Sequence, residues 1–208
     1  MSRKIYYPAT DRNKTPILQS LLKYFDRLKR GSVLEISSGT GQHVVHFANS
    51  FPMLTFQPSE NEPYLLDSIR EYVSDTSATN IKQPLLIDVR DNWTKWNVPR
   101  GFDYAININM MHVAPFECSV GLFKNVSEVL KPGGLLVTYG PYANGGVLEP
   151  KSNRDFDRSI RQQNPEYGVR DICDLVKVAE QYRIKLSDID EMPANNKLLV
   201  WQKLGQDE

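Results

Sequence analysis

The chain has 208 residues, 25 basic against 25 acidic side chains, no net formal charge, and hydrophobic and charged fractions of 40% and 24%. That length can bury a full core without disulfide or metal staples, and the charge balance is not the basic excess of a duplex nucleic-acid binder. No apolar run nears the roughly 18 residues of a membrane span, and the polar start "MSRKIYYPATDRNK" lacks the apolar core of a signal peptide.

A first helix is predicted over 15–30. Ile17, Leu18, Leu21, Leu22, Phe25 and Leu28 recur at helical spacing, Pro16 suits the first turn and Gly31 ends the helix. Short apolar runs follow at 33–36, 54–57, 85–87, 104–108 and 135–139, and segments such as 63–73 and 120–130 are long enough for crossover helices. Buried strands alternating with helices indicate a parallel sheet covered on both faces. The runs at 184–189 and 197–204 are separated only by a short loop around "DEMPANN", so they must pair as an antiparallel hairpin. The expectation is an α/β, Rossmann-like fold: a seven-stranded, mostly parallel sheet with a reversed last strand. No repeat or low-complexity segment interrupts 1–208, which is read as a single domain. Cys118 and Cys173 are the only cysteines, a sparse usage that fits reduced thiols and a cytoplasmic setting.

A tight strand-to-helix turn needs glycine wherever a ligand approaches the backbone closely. The stretch "VLEISSGTGQHVVHF" supplies Gly39 and Gly41 with Thr40 between them. A dinucleotide fingerprint requires a third glycine where Val44 stands, which disfavours an NAD-type oxidoreductase. Glu35 lies inside the first strand, where a buried acid needs a partner. Glu60 ends the second strand in "FQPSE", placed to accept from a ribose diol, and Asp88, with Val89 beside it, ends the third, placed to accept from an adenine amino group. Pro132, Gly133 and Gly134 in "LKPGGLLVTYGP" read as a helix exit and turn into the fifth strand. This set points to S-adenosylmethionine (SAM) as cofactor, with Glu35 toward its ammonium group.

The strings "DRNKTPIL", "VLEISSGTGQHVVHFA", "QPSE", "INMMHVAP", "YGPY", "SNRDFD", "NPEYGVRD" and "MPANNKLLV" cover nearly the whole chain. On them the chain resembles the methyltransferase-like 26 family of small class I SAM-dependent methyltransferases. The resemblance implies the fold and SAM binding but no acceptor. Where class I loops carry a first glycine this chain has Ser37, which can still hydrogen-bond the cofactor. Where amino-directed nucleic-acid methyltransferases carry (Asp/Asn)-Pro-Pro-aromatic, it reads Asn109-Met110-Met111-His112, which argues against that chemistry.

In an open α/β sheet, ligands sit beyond the carboxyl ends of the strands. Asn109 and Met110 are therefore expected at the cofactor, as is Asn13 ahead of the first helix, where Lys14 or Arg12 is the candidate for the cofactor's carboxylate. His112 is the candidate general base, because its ordinary pKa lies near neutrality. Tyr139 and Tyr142 are candidates to orient a substrate or line the sulfonium. The polar segment 143–171 reads as a substrate-side insertion. His43 and His46 lack a third ligand, so no metal is expected. The reading is a methyltransferase acting on a small molecule or an exposed side chain. The alternative is a non-catalytic SAM-binding module or assembly subunit.

Overall fold

The structure, a computed structural model, describes residues 3–205. Helix α1 (Pro8–Tyr24) leads into β1 (Gly31–Ile36), α2 (Gln42–Ser50), β2 (Leu54–Glu60), α3 (Pro63–Ser74), β3 (Leu85–Leu86), β4 (Phe102–Ile108), α4 (Phe116–Val129) and β5 (Leu130–Gly140). Short strands β6 (Tyr142–Ala143) and β7 (Arg170–Asp171) bracket α5 (Lys151–Gln163), before α6 (Ile172–Gln181), β8 (Ile184–Met192) and β9 (Asn196–Lys203). The main sheet has seven strands in the order β3-β2-β1-β4-β5-β9-β8. β1 to β5 pair in parallel, and β9 runs antiparallel to both β5 and β8. The reversed last strand is thus present, inserted between β5 and β8.

Strand alternation explains the two apolar layers. Leu34, Ala105, Leu136 and Leu199 point to one face, where they pack with Phe123 of α4 and Leu175 of α6. Their neighbours Val33, Ile106, Val137 and Val200 point to the other, against Ile17 of α1, Phe47 of α2 and Ile69 of α3. A sheet covered on both faces is apolar at consecutive positions, which is why the strands read as unbroken apolar runs.

Two boundaries differ from expectation. The first helix starts at Pro8 rather than near residue 15 and ends at Tyr24, so Pro16 lies inside it. Both prolines suit a first turn, and the upstream one is used. Its buried face is Ile17, Leu18 and Leu21, with Phe25 just past the end stacked on Tyr104 at 3.9 Å; Leu28 falls outside and is exposed. The Pro132-Gly133-Gly134 run is not a turn ahead of the fifth strand. Leu130 already pairs with Phe102, and pairing resumes with Leu135 opposite Tyr104. The glycine pair is therefore a bulge within the ladder, with Gly133 at φ 77°.

The strand order reverses between β1 and β4. At such a switch point the flanking loops diverge and open a crevice beyond the carboxyl ends. β8 runs in the same sense as β5, so the β8–β9 loop opens on the same edge.

Candidate active site

A cavity of about 1080 Å³ fills that crevice. Residues 37–40 after β1, 60–62 after β2 and 87–90 around the β3 exit line one end. The other end is lined by residues after β4, by Ser152, Asn153 and Phe156 of α5, by Tyr167, and by Ala194 and Asn195 of the β8–β9 loop. Tyr7, Thr10 and Arg12 at the start of α1 lie along the rim.

The glycine loop is held by many short bonds. Glu60 accepts from the Gly39 amide at 2.7 Å and the Asn61 amide at 2.8 Å. The Ser38 amide donates to the Ser59 carbonyl at 2.8 Å, and the Ser68 hydroxyl to the Thr40 carbonyl at 2.8 Å. A Cβ on Gly41 would stand 2.9 Å from the Ile69 Cα, and its φ is 96°, so only glycine fits there. A Cβ on Gly39 would meet nothing within 4 Å, which leaves open space above the loop for a ligand. Ser37, in the place of a class I glycine, keeps the left-handed backbone at φ 57°. Val44 is fully buried against the sheet, so the absent third glycine is a core contact.

Glu35 sits beneath this loop. It is buried, its Oε2 has no hydrogen-bond partner, and burial, reinforced by the nearby charge of Glu60, pushes its pKa up to about 8 against the pull of the Ser38 hydroxyl. It does not line the cavity directly. Burial also raises the Glu60 pKa, opposed by the amides of Asn61 and Gly39. An orphaned carboxylate oxygen under a glycine loop, with a second carboxylate at the cavity wall, suits a ligand that is cationic at one end and carries hydroxyl groups. SAM fits that description.

Asp88 and Val89 line the cavity, but the Asp88 carboxylate is gripped by Arg90 through Nε at 3.0 and 3.1 Å and Nη2 at 2.5 Å. That contact holds its pKa below the usual carboxylate range and leaves it a largely neutralised acceptor. Asn109 and Met110 line the cavity, Asn109 in a left-handed conformation with its amide on the Tyr139 carbonyl at 2.9 Å.

Asn13 and Lys14 do not line it. Asn13 Oδ1 lies 2.8 Å from His43 Nε2, and Lys14 pairs with Asp11. Arg12 is the α1 cation that reaches the rim. Tyr139 and Tyr142 are buried in opposite apolar layers and neither lines the cavity. Side chains of a two-sided strand alternate into the layers, and only Pro141 between them reaches the crevice.

His112 does line it. Its ring packs over Gly140, where a Cβ would approach Nδ1 to 3.3 Å, and meets Phe156 edge-on at 5.4 Å. Burial, then the positive charge of Arg170, lowers its pKa to about 4, so the imidazole is neutral at physiological pH. His43 is lowered to about 3 by burial. Among the described residues, no group of three or more His, Cys, Asp or Glu side chains could hold a metal ion, and no helix is long and apolar enough to cross a membrane.

Strain concentrates at this cavity. Six non-glycine residues among those described have positive φ, and Ser37, Asn109, Ala194 and Asn195 of these line it. Such conformations persist where surrounding contacts impose them, commonly at functional sites.

A family model described as a protein of unknown function, DUF938, matches residues 4–203. The chain belongs to the DUF938 family. This DUF938 chain is similar in fold to an O-methyltransferase family protein from Burkholderia thailandensis (TM-score 0.80, 14% identity, covering 95% of this chain and 58% of that one). It is also similar to the mitomycin 7-O-methyltransferase MmcR (0.75, 14%, 92% and 54%). A third likeness is to CalO1, a methyltransferase in calicheamicin biosynthesis solved with S-adenosylhomocysteine (SAH) bound (0.74, 14%, 93% and 54%). The DUF938 chain spans a little over half the length of these proteins, and at such identities the likeness is one of fold.

Sequence reasoning missed Phe156 and Arg170 as residues around His112. Both lay inside unusual strings, "SNRDFD" and "NPEYGVRD", but nothing local in those strings says what they touch.

Proposed function

We propose that this protein is a SAM-dependent methyltransferase of the methyltransferase-like 26 kind, acting through an acceptor oxygen on a small molecule or an exposed side chain. One observation carries the reading: the glycine loop, the Glu60 carboxylate and the neutral imidazole of His112 line one cavity, with Glu35 buried beneath the loop and one of its oxygens unpartnered. When bound, SAM supplies an electrophilic methyl group. Glu60 is the residue to hold its ribose, and Glu35, protonated in the free chain below about pH 8, is the residue to ionise opposite its positive charge. Displacement at such a methyl needs in-line placement above all, and a base only where the nucleophile carries a proton. A hydroxyl does, and on this reading His112, kept unprotonated, accepts that proton. Phe156, Tyr167 and Asn195 wall the acceptor end. The likeness in fold to O-methyltransferases supports the same reading. The two free cysteines support a reducing, cytoplasmic setting.

The test is transfer of methyl label from SAM into fractionated cell extract. Label should enter a fraction with the wild type and fall by about 100-fold with His112→Gln. Intact SAH binding with no transfer to metabolites, protein or RNA would refute the transferase claim and leave a binding module.

A further inference from the structure

The insertion between β5 and α6 returns to the main body at Gly168 and Arg170, and both residues grasp the short loop that carries His112. The Gly168 amide donates to the His112 carbonyl at 3.0 Å. The Arg170 guanidinium donates through Nε to the Met111 carbonyl at 2.9 Å and through Nη2 to the Ala114 carbonyl at 2.5 Å. Nη2 also reaches the Glu166 carbonyl at 3.0 Å, which closes the insertion's own turn. The guanidinium lies 5.6 Å from the Phe116 ring centroid, at the first residue of α4. Carbonyls on both sides of His112, and its own, are thus held by two residues some 56 to 59 positions downstream.

We propose that Arg170 is a positioning residue for His112: its fork fixes the backbone of the 111–114 loop and so holds the imidazole toward the cavity. The inference rests on the reading of His112 as the base. An arginine is suited to this task, because its planar fork can span two carbonyls at once, which a lysine point charge cannot. Among the described residues the Arg170 guanidinium forms no carboxylate ion pair, and its hydrogen bonds go to backbone carbonyls. Asp157, whose charge also acts on Arg170, is hydrogen-bonded to Arg161 at 2.8 Å and to the Val169 amide at 2.7 Å. The guanidinium's positive charge favours the neutral imidazole. The same insertion sends Phe156 against the His112 ring. An acceptor bound on the Phe156–Tyr167 wall thus touches the element that holds the base.

The experiment needs no acceptor. The chain has three histidines, so their ring resonances can be followed separately by NMR as pH is varied, alongside amide hydrogen exchange. Arg170→Met should raise the His112 midpoint by about one pH unit and speed exchange at the Gly168 amide by about tenfold or more, with Ile106 in β4 unchanged. Arg170→Lys keeps the charge and loses the fork, so the midpoint should stay near wild type while Gly168 exchange still accelerates. If Arg170→Met fails to fold, the lysine variant carries the test alone. An unchanged Gly168 exchange rate in the folded variants would overturn the proposal. That outcome is separate from the base assignment, which fails if His112→Gln turns over acceptor at the wild-type rate.

Discussion

The glycine-loop end of the cavity is held by backbone amides and buried carboxylates, whereas the acceptor end is walled by side-chain amides, aromatic rings and a neutral imidazole. At the first end the chain leaves little freedom: Gly41 fits against Ile69, Glu60 pins Gly39, and Ser38 and Ser59 bond across β1 and β2. At the second, the walls come from segments distant in sequence, α5, Tyr167 and the β8–β9 loop, joined by contacts such as Asn153 Nδ2 to the Asn195 carbonyl at 3.1 Å. The contrast separates a rigid end built by adjacent strands from an end walled by insertions; on the proposed reading the first holds SAM and the second the acceptor.

The largest effect should come from breaking the rigid end. Gly41→Ala forces a Cβ into the Ile69 backbone and a left-handed alanine, and should cost about 2–3 kcal/mol. A fall in the denaturant midpoint and loss of SAH binding would report it. A cost near zero would mean that the loop is not clamped between α2 and α3.

The two ends should also titrate with opposite sign. Glu35 has an ordinary value of 4.5 when unfolded and about 8 in the folded chain. Between those values the unfolded chain gives up its proton while the folded one keeps it, so stability falls as pH rises through the window and levels above it. His112 runs the other way. Its folded value of about 4 lies below the unfolded 6.5, so its contribution is complete above 6.5 and is lost as pH falls toward 4. Urea unfolding of Glu35→Gln and His112→Gln across that range should flatten the alkaline and the acid limb respectively. Glu35→Gln leaving the alkaline limb as steep as wild type would show that Glu35 is ionised in the free protein.

The smallest effect sharpens the acceptor end. Ala194 holds φ 59° in the β8–β9 loop beside the cavity. Ala194→Gly relieves that conformation and should gain about 0.5–1 kcal/mol, measured as a rise in Tm, with SAH binding unchanged.

Much of the rigid end was legible because it is local. Two-sided burial writes itself as consecutive apolar residues, and the strand–glycine–helix order places Glu35, Gly39, Gly41 and Glu60 on one edge without knowledge of the tertiary contacts. Even there the sequence could not say that Arg90 neutralises Asp88, although the two are only two residues apart. The acceptor end was less legible. Tyr139 and Tyr142 flank the end of β5, where position along the strand suggests the crevice, but alternation turns both into the apolar layers. Asn13 and Lys14 lie one and two residues past Arg12, yet helical rotation sends them to His43 and Asp11 and leaves Arg12 at the rim. Arg170 acts on carbonyls nearly 60 positions away, and no spacing in the sequence encodes that.

On the proposed reading the glycine-loop end holds SAM through Glu60, with Glu35 buried beneath the loop. Isothermal titration of SAH into the wild type and into Glu60→Gln tests it most directly, with NADH as the competing nucleotide. Saturable heat with SAH, at least tenfold weaker in Glu60→Gln and absent with NADH, is the predicted result. No heat with SAH, or a stronger signal with NADH, would contradict it.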